Sequence, residues 1–218
     1  MGDDDLPREP DGLSRRRFLQ ALGLGATAAT IVEDGLAGRA LAVQPAADAT
    51  LGPGPVPVSL KVNGQAIRIS VEPRVTLLDA LRNHLHADKP EPVDLTGQKR
   101  VCDRASCGAC TMIVDGRTAY ACTILAVDAE GREIRTVEGL EKDGKLHAVQ
   151  EEFVHHDGLM CGFCTPGFVM ASVALLEKNP NAAEREIKRA LDGNICRCGT
   201  QCRVIEAVEA AGKRLQGK

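Results

Sequence analysis

A chain of 218 residues can hold one large domain or two small ones, and nine cysteines falling into two groups favour two. With no Trp, one Tyr and four Phe, each half would have a meagre aromatic core and would need something besides hydrophobic burial to hold it together. A net charge of -3 and the lack of any basic run beyond the N-terminus exclude nucleic acid and an anionic membrane surface as implied partners.

Near the start, Ser14-Arg15-Arg16-Arg17-Phe18-Leu19 precedes an apolar, small-residue stretch from Leu19 to Val32 that is too short to span a bilayer comfortably. The run resembles the twin-arginine export signal, whose pathway carries folded proteins. That resemblance implies a periplasmic protein which receives its cofactor before leaving the cytoplasm. Residues 1–42 are expected to be the signal segment, with a candidate cleavage site at Ala40-Leu41-Ala42, and no stable membrane insertion is expected. Residues 43–57, rich in Ala, Gly and Pro, read as a flexible linker.

From Val58 the pattern alternates: Val58, Leu60 and Val62 precede Asn63-Gly64, and Ile67, Ile69 and Val71 follow it, which predicts a β-hairpin. Thr76 with Asp79 opens a helix carrying Leu77, Leu78, Leu81 and Leu85, so a small mixed sheet packed on a helix is expected. This half, 58–140, also holds Cys102, Cys107, Cys110 and Cys122, a C-x4-C-x2-C run followed after eleven residues by a fourth cysteine. That is the plant-type 2Fe-2S spacing, and its five-residue step is foreign to ordinary zinc knuckles. Gly108 and Ala109 are small enough for the backbone to approach a cluster and donate N–H bonds to it. A two-residue hairpin loop at Asp115-Gly116 would oppose Cys110 to Ala121 and Cys122 to Ala109, making the two cysteines diagonal neighbours.

The second half, 145–213, carries Cys161-x2-Cys164 and, after thirty-one residues, Cys196-x-Cys198, all among helical periodicity. One helix is expected from His147 to His156, and another from Thr165-Pro166 to the stop at Asn179-Pro180. A third would be capped by Asn181 and Glu184 and end at Gly193-Asn194, and a fourth would be capped by Thr200. Cys164 and Cys198 then stand beside helix N-termini, where free N–H groups and positive dipole ends favour an anionic cluster. On spacing alone zinc and disulfides compete with iron-sulfur for these four cysteines.

Together, Val101-Cys102-Asp103-Arg104-Ala105-Ser106-Cys107-Gly108-Ala109-Cys110-Thr111, Cys161-Gly162-Phe163-Cys164-Thr165-Pro166-Gly167 and Asn194-Ile195-Cys196-Arg197-Cys198-Gly199-Thr200 resemble the small iron-sulfur subunit of the xanthine dehydrogenase and aldehyde oxidase family of molybdenum hydroxylases. The resemblance covers roughly Val58 to Gly212. It implies an α+β chain: a β-grasp, plant-type ferredoxin domain at 58–140 holding one 2Fe-2S cluster on Cys102, Cys107, Cys110 and Cys122, followed by a four-helix domain at 145–213. The second 2Fe-2S cluster would sit there on Cys161, Cys164, Cys196 and Cys198. It also implies a large partner subunit bearing the molybdopterin cofactor beside the helical domain, and a FAD-binding subunit or a cytochrome as acceptor. Two positions depart from the family pattern. Met160 stands where a Gln commonly contacts the pterin, and Gly199-Thr200-Gln201-Cys202 replaces the usual Tyr-containing run.

Cys202 is the odd ninth cysteine, expected to be a small buried thiol, and His84, His155 and His156 are expected to be solvent-facing. No dinucleotide fingerprint or nucleophile motif is present, so substrate chemistry is assigned to the partner chain, and this chain is expected to relay electrons without a substrate-converting site. A free-standing exported two-cluster carrier is the alternative, although a plant-type ferredoxin needs only the strand-rich half. A zinc or disulfide protein is the third reading, and an odd cysteine count leaves it one thiol over.

Overall fold

Two tight turns build the sheet. In this computed structural model, which describes residues 51–85 and 95–217, β1 (Val56–Val62) pairs antiparallel with β2 (Gln65–Val71) around Asn63-Gly64. Further along, β3 (Thr111–Val114) pairs with β4 (Arg117–Tyr120) around Asp115-Gly116. All four turn residues have positive φ, 51° and 79° at the first turn and 49° and 73° at the second, the type I′ geometry that Asn-Gly and Asp-Gly favour. β1 starts at Val56, inside the expected linker, because the register continues to Val56 opposite Val71. The expected signal segment and the linker up to residue 50 lie outside the described residues.

The hairpins are joined by β5 (Glu133–Arg135), a strand that periodicity did not predict. It runs parallel to β1 and antiparallel to β3, giving the sheet order β2-β1-β5-β3-β4. Turn residues hold it in place. Asn63 donates its N–H to the Ile134 carbonyl at 2.8 Å, and its side chain both accepts from Thr136 N–H at 2.8 Å and donates to Thr136 Oγ1 at 2.9 Å. Asp115 does the same from the other side, accepting from Glu133 N–H at 3.0 Å and donating to its carbonyl at 2.9 Å.

One core lies between the sheet and α1 (Leu77–Asn83), whose cap is Thr76 as expected, its Oγ1 accepting from Asp79 N–H at 3.2 Å. The second core is helical: α2 (Ala148–His155), α3 (Thr165–Lys178), α4 (Glu184–Leu191) and α5 (Gln201–Leu215) bury Phe153, Phe168, Val173, Leu176, Ile187 and Val208. β3 serves both cores, since side chains alternate across a strand: Met112 and Val114 face the first core and Ile113 the second. Among the described residues no helix is long and apolar enough to cross a membrane.

Two helix starts differ from expectation, by one residue at α3 and two at α4. Cys164, not Thr165, takes the cap position of α3, with Pro166 in the first turn. Ala183 caps α4, its N–H donated to the Glu186 carboxylate at 2.9 Å, because Asn179 Oδ1 takes Asn181 N–H at 3.1 Å and turns that residue away from the cap role. Cys202 is exposed rather than buried: the buried face of α5 runs through Val204, Ala207, Val208 and Ala211, and position 202 falls off that stripe.

α2 opens on a titrating cap. His147 Nδ1 accepts from Val149 N–H at 3.2 Å, and Gln150 Oε1 accepts His147 N–H at 2.9 Å. Burial pushes the imidazole below its ordinary value of 6.5, with nearby Glu177 opposing and Arg135 and Lys142 assisting. The neutral ring is the folded form, so its stabilising contribution is present above about pH 6.5 and is lost as pH falls through the lower folded value. Thermal melts between pH 7.5 and 5 should therefore show a falling midpoint, and His147→Asn, which caps without titrating, should remove part of that fall. An identical pH profile in the variant would refute the assignment.

Candidate metal centres

The first set of cysteines sits on a loop that wraps before β3. Asp103 and Ala105 have φ of 53° and 57°, left-handed conformations that cost non-glycine residues of order 1–3 kcal/mol. The strain accompanies a specific result: Ala105 N–H donates to Cys122 Sγ and Ser106 N–H to Cys102 Sγ, both at 3.3 Å. Cys110 closes the loop. Cys122 arrives from the far strand of the hairpin, on a 3-10 turn at Ala121–Thr123. The ladder has the expected register from Val114 opposite Arg117 to Thr111 opposite Tyr120, extended by Ala121 N–H to the Cys110 carbonyl at 3.3 Å. Ala109, which the simple register would oppose to Cys122, instead gives its carbonyl to Lys99 N–H at 3.0 Å.

The second set is built at two helix starts. Cys161 precedes α3 and Cys164 caps it, while Cys196 and Cys198 precede α5. Thr200 stands at the cap of α5 but gives no side-chain bond to the helix, its hydroxyl lying 3.1 Å from Cys196 Sγ. Burial pushes the Cys110 and Cys164 thiols up to about 12. Cys102 is brought down to about 7, chiefly by the Arg104 backbone N–H. At Cys196 burial works the other way, but bonds from the Thr200 hydroxyl and N–H outweigh it and leave the thiol at about 7.

Within each set neighbouring thiols shift one another's ionisation: Cys107 acts on Cys102, Cys122 on Cys110, Cys198 on Cys161, and Cys196 on Cys164. Among the described residues no three His, Cys, Asp or Glu side chains form a ready-made site for a single metal ion. All-thiol donors, backbone amides aimed at sulfur and helix N-termini at the second set fit 2Fe-2S groups at both places.

The two sets are locked together by backbone. Ile195, next to Cys196, donates its N–H to the Cys107 carbonyl at 3.0 Å. Asn194, 8% exposed, donates to the Gly108 carbonyl at 2.9 Å and to Thr111 Oγ1 at 3.3 Å. Tyr120 donates its hydroxyl to the Gly193 carbonyl at 3.3 Å. Gly108 and Gly167 pass so close that a Cβ on Gly167 would stand 2.3 Å from the Gly108 carbonyl oxygen. In the sequence Gly193-Asn194 reads as a helix stop and Asn194 and Gly167 stand within the cysteine motifs, but nothing in local periodicity marks a contact across 86 residues or the reach of Tyr120.

Residues 60–155 match the model of the 2Fe-2S iron-sulfur cluster binding domain, and residues 136–209 that of a second 2Fe-2S binding domain. With relatives covering most of its length, the chain belongs to the family of small, two-cluster iron-sulfur subunits of xanthine dehydrogenase and aldehyde oxidase-type molybdenum hydroxylases. It is thus the iron-sulfur, electron-transferring subunit of an oxidoreductase complex. The chain is 41% identical over 221 residues to the aldehyde oxidoreductase iron-sulfur-binding subunit of Escherichia coli strain K12, covering 94% of this chain and 92% of that one. It is 42% identical to the nicotine 6-hydroxylase small subunit of Paenarthrobacter nicotinovorans over 163 residues, 75% of this chain and 93% of that one. Among solved structures, quinoline 2-oxidoreductase from Pseudomonas putida 86 superposes with a TM-score of 0.68 at 38% identity, over 75% of this chain and 97% of that one.

Gly167→Ala should push α3 away from the first loop at a cost of about 1–3 kcal/mol, the usual scale of overpacking. The thermal midpoint should drop, and the magnetic interaction between the two reduced sites should weaken in electron paramagnetic resonance spectra. An unchanged interaction would mean that this contact does not set their separation.

Proposed function

We propose that Cys102, Cys107, Cys110 and Cys122 hold one 2Fe-2S group and Cys161, Cys164, Cys196 and Cys198 the other. Held there, the two groups supply one-electron storage between a molybdopterin site on a large partner subunit and a flavin subunit or cytochrome. The observation that carries this reading is the asymmetry of the two sets. Cys110 and Cys122 of the first are buried, whereas Cys161 and Cys198 of the second are exposed. Around the second set lie the exposed apolar side chains of Met160, Phe163 and Ile195, at 72%, 50% and 46% exposure. Beside them opens a cavity of about 290 Å³ onto which Cys107, Cys161 and Cys164 all face. Exposed apolar side chains grouped around a redox site suit a partner surface that excludes water from it. The partner's electrons would enter at this face.

The chain's own part is to hold the two sets at fixed separation with a short covalent and hydrogen-bonded bridge between them, from Cys196 through Ile195 N–H to the Cys107 carbonyl. Relatives named as subunits of aldehyde oxidoreductase, nicotine 6-hydroxylase and nicotinate dehydrogenase support a multisubunit oxidoreductase as the setting. Those names span several substrates, which suits substrate choice by the large subunit.

The test is metal analysis of the tagged protein purified with whatever accompanies it. About four irons per chain, together with molybdenum and a large co-purifying chain, is the expected result. Iron without molybdenum or a partner would favour a free carrier instead. Cys107→Ser should abolish one iron-sulfur signal and spare the other, and loss of both would contradict two independent sites.

The Ser14–Leu19 run supports export of the folded protein to the periplasm, a compartment that argues against NAD as the final acceptor. Replacing Arg15 and Arg16 by Lys should leave the protein, with its iron, in the cytoplasmic fraction. Unchanged periplasmic recovery would defeat the export reading.

A further inference from the structure

We propose that Thr200 tunes the second iron-sulfur site, donating its hydroxyl proton to Cys196 Sγ and so raising the reduction potential there. The inference rests on the reading that Cys196 holds iron. Thr200 is 6% exposed, and its Oγ1 lies 3.1 Å from that sulfur. A threonine at the cap of a helix ordinarily gives its oxygen to an amide of the first turn. Here it makes no such bond, although its backbone carbonyl does accept from Val204 N–H at 3.0 Å as a helix start requires. The side chain is therefore turned to the sulfur. Gln201, the next residue, donates to the Cys196 carbonyl at 3.2 Å, so the same helix start grips both ends of this cysteine.

Between a free thiol and a hydroxyl either group can donate. Iron ligation removes the choice, because a thiolate carries no proton and only accepts. Adding one electron makes the ligand sulfurs more negative, and a hydrogen bond strengthens when its acceptor gains charge. The bond therefore favours the reduced form, and no proton changes hands: Thr200 keeps its hydrogen in both states.

A second hydroxyl points the same way. Thr165, adjacent to Cys164, has a buried Oγ1 without any partner among the described residues, a state that ordinarily costs stability. Cys164 belongs to the same set as Cys196, and a thiolate acceptor at this helix start would satisfy the orphan. At the first centre, by contrast, the donors to sulfur are the backbone amides of Ala105 and Ser106, which no side-chain substitution removes. The second site is the one whose potential a single side chain can reset.

The experiment uses the intact complex carrying Thr200→Val, Thr200→Ala or Thr200→Ser, with iron content measured first and a dithionite titration followed by electron paramagnetic resonance second. With iron retained, Val and Ala should shift the one-electron equilibrium of the second site toward the oxidised form by roughly three- to tenfold, tenfold being 59 mV. Ser should titrate like the native protein, and the first site should not move in any variant. Unchanged potentials in Val or Ala variants that keep their iron would overturn the proposal. So would loss of iron from both with retention in Ser, which would make the hydroxyl a requirement of assembly instead. Cys196→Ser separates the underlying reading: if the second-site signal survives it intact, Cys196 is not the ligand, whatever Thr200 does.

Discussion

The bond from Ile195 N–H to the Cys107 carbonyl is the constraint on which the arrangement of the two centres depends. Each of its ends is one peptide from, or part of, a cysteine of a different set. The facing glycines reinforce it through close backbone approach, and Asn194 reinforces it through its buried side-chain amide. The Gly108 carbonyl alone receives bonds from Asn194 Nδ2, from Thr111 N–H and from Thr111 Oγ1. A relay needs its two sites at an invariant separation, and a junction of main-chain bonds between close-packed glycines provides one.

The same economy appears in the sheet. β5 has three residues and too little apolar pattern to define itself, yet its backbone is gripped at each side by the turn residue of a hairpin, Asn63 on one and Asp115 on the other. These two turn residues thus do more than reverse the chain. They place β5 between β1 and β3, which brings the two hairpins into one sheet and lets β3 present Ile113 to the helical core behind it. The cysteine sets approach each other because one strand is buried on both faces.

Thiol environment follows from the same packing. Cys110 and Cys164 are pushed up by burial, which disfavours their deprotonated forms. Cys102 and Cys196, one from each set, are held near neutrality by N–H and O–H donors.

Much of this was legible from residue order alone, where the cause is local. Asn63-Gly64 and Asp115-Gly116 dictate type I′ turns and thereby the hairpin registers, the Thr76 cap and leucine spacing dictate α1, and the cysteine spacing dictates the chemistry of the first set. At Cys161, Cys164, Cys196 and Cys198 spacing alone leaves zinc, disulfides and iron-sulfur in competition, and the resemblance of the surrounding motifs favours iron-sulfur. What only the tertiary structure decided rests on contacts between residues far apart in the chain. β5 is held by other segments' turns, the cap of α3 falls on Cys164, the cap of α4 shifts because Asn179 engages Asn181, and Cys202 falls outside the stripe that α5 happens to bury. Asn194 and Gly167 belong to the same class. Their partners lie across the fold, and periodicity, which reports only a residue's neighbours along one element, carries no trace of them.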